Sequence, residues 1–201
     1  ASDLHLGHPW SARAIGQFEA SVLAAAPDLV LLGGDLADSS RGLDPLHACI
    51  ESLSHRTPVA AVPGNHDGLP GVRAAVLAGG GSWLPDGALR YRLGSRTLWI
   101  EAQLGMARGP DAWRILCAHH PDVFPLAQAD GFSLVLAGHL HGGQCVLFEK
   151  EGRLYPGAWG SRWTGLRFRE QACTLLVSRG ASDTLPLRWN CPREVLLCEL
   201  S

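Results

Sequence analysis

The chain has 201 residues, of which 46% are hydrophobic and 18% charged, and its formal net charge is −2. This composition excludes extensive disorder, and the length suffices for one domain with a substantial core. The near-neutral charge argues against a broad nucleic-acid-binding surface, and no apolar run approaches the roughly 20 residues of a membrane-spanning helix.

The first third of the chain alternates helical and strand patterns. Ser11 is expected to cap a helix that ends before Pro27, with apolar residues recurring at helical spacing at Ile15, Phe18 and Val22. The next predicted elements are a strand, an amphipathic helix and a strand, at residues 29–32, 45–53 and 58–62. This alternation indicates the α/β class.

Beyond residue 85 strand patterns predominate. A hairpin is predicted around Gly94-Ser95, and only residues 121–129 have a helical pattern. The predicted strands of this part are 89–93, 97–100, 113–117, 134–137, 145–148, 173–177 and 195–200. Many strands with helices concentrated early predict two packed sheets flanked by helices, in a single domain that spans residues 1–201.

The cysteines form no C-x-x-C pair, and four of the six lie in apolar, strand-like runs. The six are Cys49, Cys117, Cys145, Cys173, Cys191 and Cys198. We therefore expect buried free thiols in place of a zinc site or a disulfide framework, which favours a reducing compartment.

Polar residues that can bind metal recur where the predicted strands end, which is where α/β folds place their functional sites. Asp3 and His5 are two residues apart, so that on an extended backbone both side chains leave the same face, and His139 and His141 repeat this spacing. The complete set is Asp3, His5, Asp35, Asn65, His119, His139 and His141. Each alone is common turn chemistry, but their joint occurrence at five strand ends predicts a metal site.

The same residues carry a family resemblance. The segments Ser2–Gly7, Gly34–Asp38, Gly64–Asp67, His119–Asp122 and Gly138–His141 resemble the successive motifs of calcineurin-like metallophosphoesterases. The resemblance implies a four-layer αββα sandwich with two mixed sheets. The later segments 142–144, 177–180 and 187–192 are similar to one bacterial branch, whose members are membrane-associated phosphodiesterases.

The resemblance implies two divalent metal ions. One would bind Asp3, His5, Asp35 and His141, and the second Asp35, Asn65, His119 and His139, so that Asp35 bridges the two. Nitrogen and oxygen donors without thiolate suit Mn, Fe or Zn, and also Mg. Such a centre keeps a net positive charge, attracts an anionic phosphoester and activates a metal-bridging hydroxide as the nucleophile.

The resemblance also implies roles for two residues beside the ligands. His66 is expected to act as general acid or as a donor that stabilises the transition state, with Asp67 fixing its tautomer. The alternative is that His66 is itself a metal ligand. His8 and His120 lie close to the motifs but have no spacing argument, so neither is assigned a metal.

Two departures from the branch affect what is expected around the site. The strand that should precede Asp3 is absent, and we expect it upstream, preceded by a membrane anchor as in similar bacterial proteins. The protein is then expected in the cytoplasm or at the cytoplasmic face of the membrane. The segment Glu101 to Asp111 is shorter than in the branch and lacks its acidic loop, so one side of the pocket is expected to differ.

Large aromatic residues near the motifs favour a particular substrate class. Trp159, Trp163 and Trp10 are expected to wall an apolar cleft, with Arg162 binding an anion, although each tryptophan is as readily a packing residue. We expect a small phosphoester, lipid- or nucleotide-linked, with UDP-diacylglucosamine pyrophosphate hydrolysis as the specific candidate. Two alternatives are a catalytically weak interaction scaffold on the same fold and a nuclease, which the charge disfavours.

Overall fold

The computed structural model describes residues 1–106, 108–109 and 112–200. Its four α-helices are α1 (Ser11–Ala25), α2 (Leu43–Ser54), α3 (Val72–Ala78) and α4 (Phe124–Ala129). The strands are β1 (Val30–Gly33), β2 (Val59–Val62), β3 (Ser82–Trp83), β4 (Leu89–Leu93), β5 (Arg96–Glu101), β6 (Ala112–Cys117), β7 (Leu134–Ala137), β8 (Phe148–Lys150), β9 (Arg153–Tyr155), β10 (Arg167–Glu170) and β11 (Cys173–Val177).

The strands form two principal sheets and a small ribbon. The smaller sheet has the order β1-β2-β3 with parallel pairing throughout. The larger sheet has the order β10-β11-β7-β6-β5-β4, in which the four inner strands are parallel and both edge strands are antiparallel to their neighbours. Strands β8 and β9 pair by themselves as an antiparallel ribbon.

Alternate side chains of each strand point to opposite faces of its sheet and pack into different apolar layers. In β2, Val59 and Ala61 belong to the apolar cluster beneath the first three helices, whereas Ala60 and Val62 belong to the cluster between the two sheets. In β6, Ile115 and Cys117 face that same cluster between the sheets, and Leu116 packs on the other side with α4. Because successive strand residues point to opposite faces, each sheet is covered on both sides.

The helices cover the two outer faces through apolar stripes. In α1 the buried residues Ala14, Phe18 and Val22 recur every four positions, which places them on one helix face. On the far side, Phe124 of α4 is fully buried against the larger sheet. The α/β class with sheets flanked by helices, expected from the sequence, is confirmed, and the layers follow the order helices, small sheet, large sheet, helix.

Most predicted elements are present, including the hairpin of β4 and β5 and the helix after Pro121, whose first turn is a 3-10 turn. Two predictions about segment ends are wrong. Ser11 does not cap α1, since it lies inside the helix and its hydroxyl donates to the His8 carbonyl. The predicted strand at 145–148 begins only at Phe148, and Cys145 instead forms an isolated bridge with Trp189.

The predicted strand at residues 195–200 is also wrong, since these residues form no strand in the part of the chain that the structure describes. Their apolar side chains are used differently: Val195 packs against the helix-side cluster and Leu200 against the cluster between the sheets. A strand needs a neighbour for its backbone groups, and the pattern of side chains alone does not provide one. Within the short segment Glu101 to Asp111, residues 107, 110 and 111 lie outside the described residues.

Four of the six cysteines, Cys49, Cys117, Cys173 and Cys191, are buried and all six are free thiols. Burial raises the pKa of the Cys117 thiol to about 12, so this thiol stays protonated at neutral pH. The cysteines therefore behave as small apolar residues, as the sequence indicated.

Leu116 offers a test of the packing between the larger sheet and α4. Leu116→Ala is expected to lower the free energy of unfolding by about 2–5 kcal/mol, because a fully buried side chain leaves a cavity. Leu126→Ala on α4, where the side chain is 62% exposed, is the matched control and should change stability by less than about 0.5 kcal/mol. Urea denaturation of both variants measures the difference; equal losses would contradict the assigned packing.

Candidate metal centre

Polar side chains follow the carboxyl ends of parallel strands in both sheets. Asp35 follows β1, Asn65 follows β2, His119 follows β6 and His139 follows β7, with His141 in the 3-10 turn just beyond. The backbone N–H of Gly138 donates to the His119 carbonyl at 3.0 Å, which joins the last two loops. Since parallel strands end at a common edge, the fold collects these residues at one place.

The first six residues bring Asp3 and His5 to the same edge. The backbone N–H of Asp3 donates to the Gly34 carbonyl and that of His5 to the Asp35 carbonyl, each at 2.9 Å. This segment therefore runs beside the loop that follows β1. All seven residues predicted as ligands come together from five separate parts of the chain.

One group of ligand atoms is formed around His5. Its Nε2 lies 3.2 Å from His141 Nε2 and 3.7 Å from Asp35 Oδ2. His141 Nε2 in turn lies 3.6 Å from Asp3 Oδ1. Asp3, His5 and Asp35 are buried, with 0 to 2% of their surface exposed. Carboxylate oxygens and imidazole nitrogens at these separations suit a divalent metal ion.

A second group of ligand atoms is formed around His119. Its Nε2 lies 3.0 Å from Asn65 Oδ1, 3.2 Å from His139 Nδ1 and 3.2 Å from Asp35 Oδ2. The same Asp35 oxygen is thus close to both His5 and His119. The two groups match the two predicted ligand sets, with Asp35 between them.

The exposed His120 is a further candidate for the second group. Its ring centroid is 3.8 Å from that of His139, and one ligand atom each from His119, His120 and His139 lie within 4.8 Å of one another. No role was assigned to His120 from the sequence. The geometry places it near the second group.

The ligand loops adopt backbone conformations that ordinary residues avoid. Five of the seven predicted ligands have positive φ values: Asp3 (59°), His5 (45°), Asp35 (54°), His139 (71°) and His141 (49°). A left-handed conformation costs a residue with a side chain about 1–2 kcal/mol. Such strain concentrates at functional sites, where the surrounding structure holds it in place.

These φ values correct the sequence argument about spacing. Asp3 and His5 were expected to share a face because they are two apart on an extended backbone. Both are left-handed, and the same holds for His139 and His141. The side chains converge because the left-handed residues turn the backbone locally and because hydrogen bonds tie it to neighbouring loops, as between Asp3 and Gly34 and between Gly138 and His119.

Close packing of the loops accounts for one glycine of the motifs. Gly34 has a φ of +89°, and a Cβ there would lie 2.7 Å from His119 Nδ1 and 2.8 Å from the backbone of Gly64. Only glycine fits both the conformation and the space. The loops after β1, β2 and β6 can therefore approach one another.

Hydrogen bonds fix the orientation of three of the predicted histidine ligands. His5 Nδ1 lies 2.8 Å from Asp38 Oδ1, His119 Nδ1 lies 2.8 Å from the Gly33 carbonyl and His141 Nδ1 lies 3.3 Å from Asp183 Oδ1. With a proton on each Nδ1, the neutral rings would direct the lone pair of Nε2 towards the other predicted ligand atoms. Protein metal sites use this arrangement to orient histidine ligands.

Asp35 is ionised at neutral pH. Burial alone would raise the pKa of this carboxyl, but the adjacent His119 ring and the hydrogen bond from the backbone N–H of His66 outweigh it and lower the pKa to about 2. The carboxylate thus carries a negative charge at the point where the two groups of ligand atoms meet.

Asp67 does not fix the tautomer of His66, which corrects the sequence prediction. Its carboxylate accepts backbone N–H bonds from Leu36 at 2.8 Å, Ala37 at 3.1 Å and Gly64 at 2.8 Å. Asp67 therefore joins the loops after β1 and β2. Burial raises its pKa, partly offset by these three bonds.

The partner of His66 is Asp38. His66 Nδ1 lies 3.1 Å from Asp38 Oδ1, and the other carboxylate oxygen lies 2.8 Å from His8 Nε2. Asn65 contacts His119 while His66 points towards Asp38 and His5, with the rings of His5 and His66 in edge contact at 4.9 Å. Asn65 and His66 therefore point to different parts of the site, although one ligand atom each of His5, Asp35 and His66 also lie within 4.8 Å of one another.

Two of the four residues predicted to bind substrate, Trp163 and Arg162, have other contacts in the structure. Trp163 is 3% exposed and packs edge-on against Phe124 and Phe168, so it is a core residue of the α4 layer and does not wall a cleft. Arg162 lies over the Trp163 ring at 4.2 Å and pairs with Glu170 at 3.2 Å, which argues against an anion site there.

The other two predicted substrate residues lie near the ligand loops. Trp10 stacks on His8 with ring centroids 4.8 Å apart, and its indole N–H donates to the Asp183 carbonyl at 2.8 Å. Trp159 is 74% exposed, in a turn that packs near Gly143. Their contact with a substrate stays a prediction.

Sequence reasoning missed Asp38 and Asp183. A signal for Asp38 was present, since it follows Asp35 by three residues within a motif already quoted. Asp183 lies 42 residues beyond His141, and nothing in the local sequence distinguishes it from a surface aspartate.

A four-layer α/β fold that collects histidine, carboxylate and amide donors at the carboxyl edge of its sheets defines a metal-dependent hydrolase. The profile of the calcineurin-like phosphoesterase family matches residues 1–143, which is more than two thirds of the 201 residues. The chain belongs to this family and is a metallophosphoesterase.

Two known proteins are similar to the chain, one in sequence and one in fold. The chain is 28% identical over 220 residues to phosphodiesterase YaeI of Escherichia coli strain K12, covering 99% of this chain and 80% of that protein. Its fold is similar to the crystal structure of TT1561 of Thermus thermophilus, with a TM-score of 0.53 and 15% identity, over 88% of this chain and 86% of the other. Within the described residues, no helix is long and apolar enough to span a membrane.

The position of Asp35 between the two groups gives a test by metal titration. Asp35→Asn should weaken Mn²⁺ binding at two sites by at least about ten-fold, whereas His5→Ala should weaken one. Calorimetric titration of the metal-free proteins measures both affinities. His55→Ala, in an exposed residue after α2, is the control and should bind as the wild type does. Selective loss of one site in Asp35→Asn would contradict the bridging position.

Proposed function

We propose that the protein is a dinuclear metal-dependent hydrolase of phosphodiester or pyrophosphate bonds. Asp3, His5, Asp35 and His141 would hold one divalent metal ion. The second ion would be held by Asp35, Asn65, His119 and His139. The proposal is supported by family membership and by the geometry of the two groups of atoms.

One observation carries the proposal: imidazole nitrogens and carboxylate or amide oxygens from separate parts of the chain face each other at 3.0 to 3.7 Å. His5 Nε2 and His141 Nε2 are 3.2 Å apart, and the Nδ1 of each ring lies beside a carboxylate that can accept its proton, Asp38 for His5 and Asp183 for His141. Two lone pairs at this distance repel, unless a cation lies between them. In the second group His119 Nε2, whose Nδ1 proton is also used, faces two oxygens in the same way.

The charge balance suits an anionic substrate. The ligand set contributes two carboxylates, Asp3 and Asp35, and otherwise neutral donors, so two divalent cations would leave the centre positive. The metals would supply attraction for the phosphoryl oxygens and a water deprotonated near neutral pH as the nucleophile. The donor set without thiolate fits Mn, Fe or Zn, and also Mg.

The described residues suggest how the leaving group is protonated. Asp38 Oδ1 lies 3.1 Å from His66 Nδ1, and a proton held between these atoms would leave Nε2 for the reacting molecule. The His66 side chain is 40% exposed, so a substrate can reach it, while Asp38 is largely covered. We assign His66 the role of general acid and Asp38 that of the residue that orients it.

Replacing His66 tests this role. His66→Ala should lower kcat for an aryl phosphodiester by about 10²–10⁴-fold with unchanged metal content, because a general acid contributes to the chemical step and holds no metal. The loss should shrink for substrates with weakly basic leaving groups. Steady-state kinetics and elemental analysis measure both, with His55→Ala as control. A variant that loses metal would make His66 a ligand instead.

The substrate is proposed to be a small phosphoester linked to a lipid or nucleotide. UDP-diacylglucosamine is the specific candidate, on the resemblance and on the exposed residues around the His139–His141 loop. Leu185, Leu187 and Trp189 are 58 to 68% exposed, and their segment hydrogen-bonds to Gln144 and Val146. We propose that they and the exposed Trp159, whose turn packs near Gly143, form an apolar rim that an acyl chain or base could contact.

The substrate proposal predicts a selective effect. Trp159→Ala should lower kcat/KM for UDP-diacylglucosamine about ten-fold and leave an aryl phosphodiester unchanged, because only the larger substrate reaches the rim. Leu77→Ala, an exposed apolar position on α3, is the control. If the wild type, Trp159→Ala and Leu77→Ala each had equal kcat/KM values for the two substrates, the proposed specificity for UDP-diacylglucosamine would be wrong.

The two alternative functions remain testable in the same preparations. All seven predicted ligands are present and assembled, which disfavours a scaffold with a decayed site. Digestion of single- and double-stranded nucleic acid would detect a nuclease. Activity on neither phosphodiesters nor nucleic acid, with Mn²⁺ supplied, would favour the scaffold.

A further inference from the structure

Residues 178–194 pack against the candidate metal centre although they lie beyond the part of the chain that the family profile matches. The backbone N–H of Ala181 donates to the Ser2 carbonyl at 2.9 Å, and that of Ser182 to the Asp3 carbonyl at 2.8 Å. Gly180 has a φ of +83°, and a Cβ there would lie 3.0 Å from Asp3 Cβ and 3.2 Å from His141 Nδ1. This segment therefore packs closely against two of the predicted ligands, Asp3 and His141.

Asp183 is the acidic residue of this segment that reaches a predicted ligand. It is fully buried, and its Oδ1 lies 3.3 Å from His141 Nδ1. Arg188 Nε donates to Oδ1 at 2.8 Å and Arg193 Nε to Oδ2 at 2.9 Å. A buried carboxylate that contacts two guanidinium groups and a histidine is held in a fixed position.

Two groups compete for His141 Nδ1. Besides Asp183, the Nη2 of Arg188 lies 3.4 Å from this nitrogen. A guanidinium only donates hydrogen bonds, whereas a carboxylate only accepts them. Asp183 therefore favours the tautomer with the proton on Nδ1 and a free Nε2. Arg188 alone would favour the opposite tautomer, with the proton on Nε2, where the metal is expected.

We propose that Asp183 is a positioning residue that sets the tautomer of His141, as acceptor for Nδ1 and as the carboxylate that binds the competing Arg188. The segment 178–194 is then part of the metal centre, through Asp183 and through its backbone bonds to residues 2 and 3. The inference rests on the proposed metal site and adds a residue to it outside the matched region. Asp183 acts through His141 and contacts no substrate.

The first experiment measures Mn²⁺ affinity in the Asp183→Ala variant of the whole chain. Removing the acceptor should weaken one of the two Mn²⁺ sites about 10–100-fold and leave the other near its wild-type value. Calorimetric titration of the metal-free protein gives this readout without reference to activity. Wild-type affinity at both sites in Asp183→Ala would overturn the inference.

A double variant separates the tautomer effect from general damage. In Asp183→Ala/Arg188→Ala the competing donor is also gone, so His141 can again present Nε2, and Mn²⁺ affinity should recover part of the loss. If Asp183 only held the segment together, removing a second buried partner should weaken binding further. Affinity in the double variant at or below that of Asp183→Ala would therefore contradict the tautomer role.

Glu194 provides the matched control within the same segment. Its carboxylate accepts the backbone N–H of Arg179 at 2.9 Å and lies 3.9 Å from the Arg179 guanidinium, without contact to a predicted ligand. Glu194→Ala should bind both Mn²⁺ ions as the wild type does, and circular dichroism of all metal-free variants checks folding. If Glu194→Ala also lost one Mn²⁺ site, the effect of Asp183→Ala would reflect general damage to the segment, and Asp183 would have only a structural role.

The outcome is distinguishable from failure of the proposed function. A wild-type chain that binds no Mn²⁺ would refute the dinuclear proposal itself. A wild type with two sites and an unaffected Asp183→Ala variant would refute only the positioning role.

Discussion

The mutual repulsion of electron-pair donors is the constraint on which the site depends. Nitrogen and oxygen lone pairs from five parts of the chain face a small volume, and the protons that could separate them are used elsewhere. In a buried environment this repulsion is strong, because little water screens it. Divalent cations between the donors would relieve this repulsion, and the hydrogen bonds that orient the donors would favour metal binding.

The fold meets this requirement by fixing loops to one another. Asp67 joins the loops after β1 and β2 through three backbone bonds, and Asp38 holds His5 and His66 from one carboxylate. Five left-handed ligand residues show that the backbone is held against its own preference. The packed sheets provide the rigidity, since their parallel strands end at the same edge and their faces are buried on both sides.

Local patterns predicted the elements better than their ends. The stripe of α1 and the buried runs of β1, β2 and β7 were readable, because periodicity follows directly from burial on one face or on two. Ser11 misled because a residue with capping chemistry also occurs inside a first turn. Residues 195–200 misled because alternation describes side chains, while a strand also needs a partner for its backbone. The substrate role predicted for Trp163 was wrong for a similar reason, since a large aromatic residue close to a site in sequence can equally well be a buried core residue.

By itself the sequence determined the chemistry available: seven donors without thiolate, in an order and at strand ends that identified the family and its metal dependence. Only the tertiary structure decided which residues orient those donors. Asp38 took the place expected for Asp67, and Asp183 reached His141 from 42 residues away. The physical reason is that a ligand type is a property of a residue, whereas a hydrogen-bond partner is a property of distance and direction. Contacts between distant segments follow from packing, which no local pattern encodes.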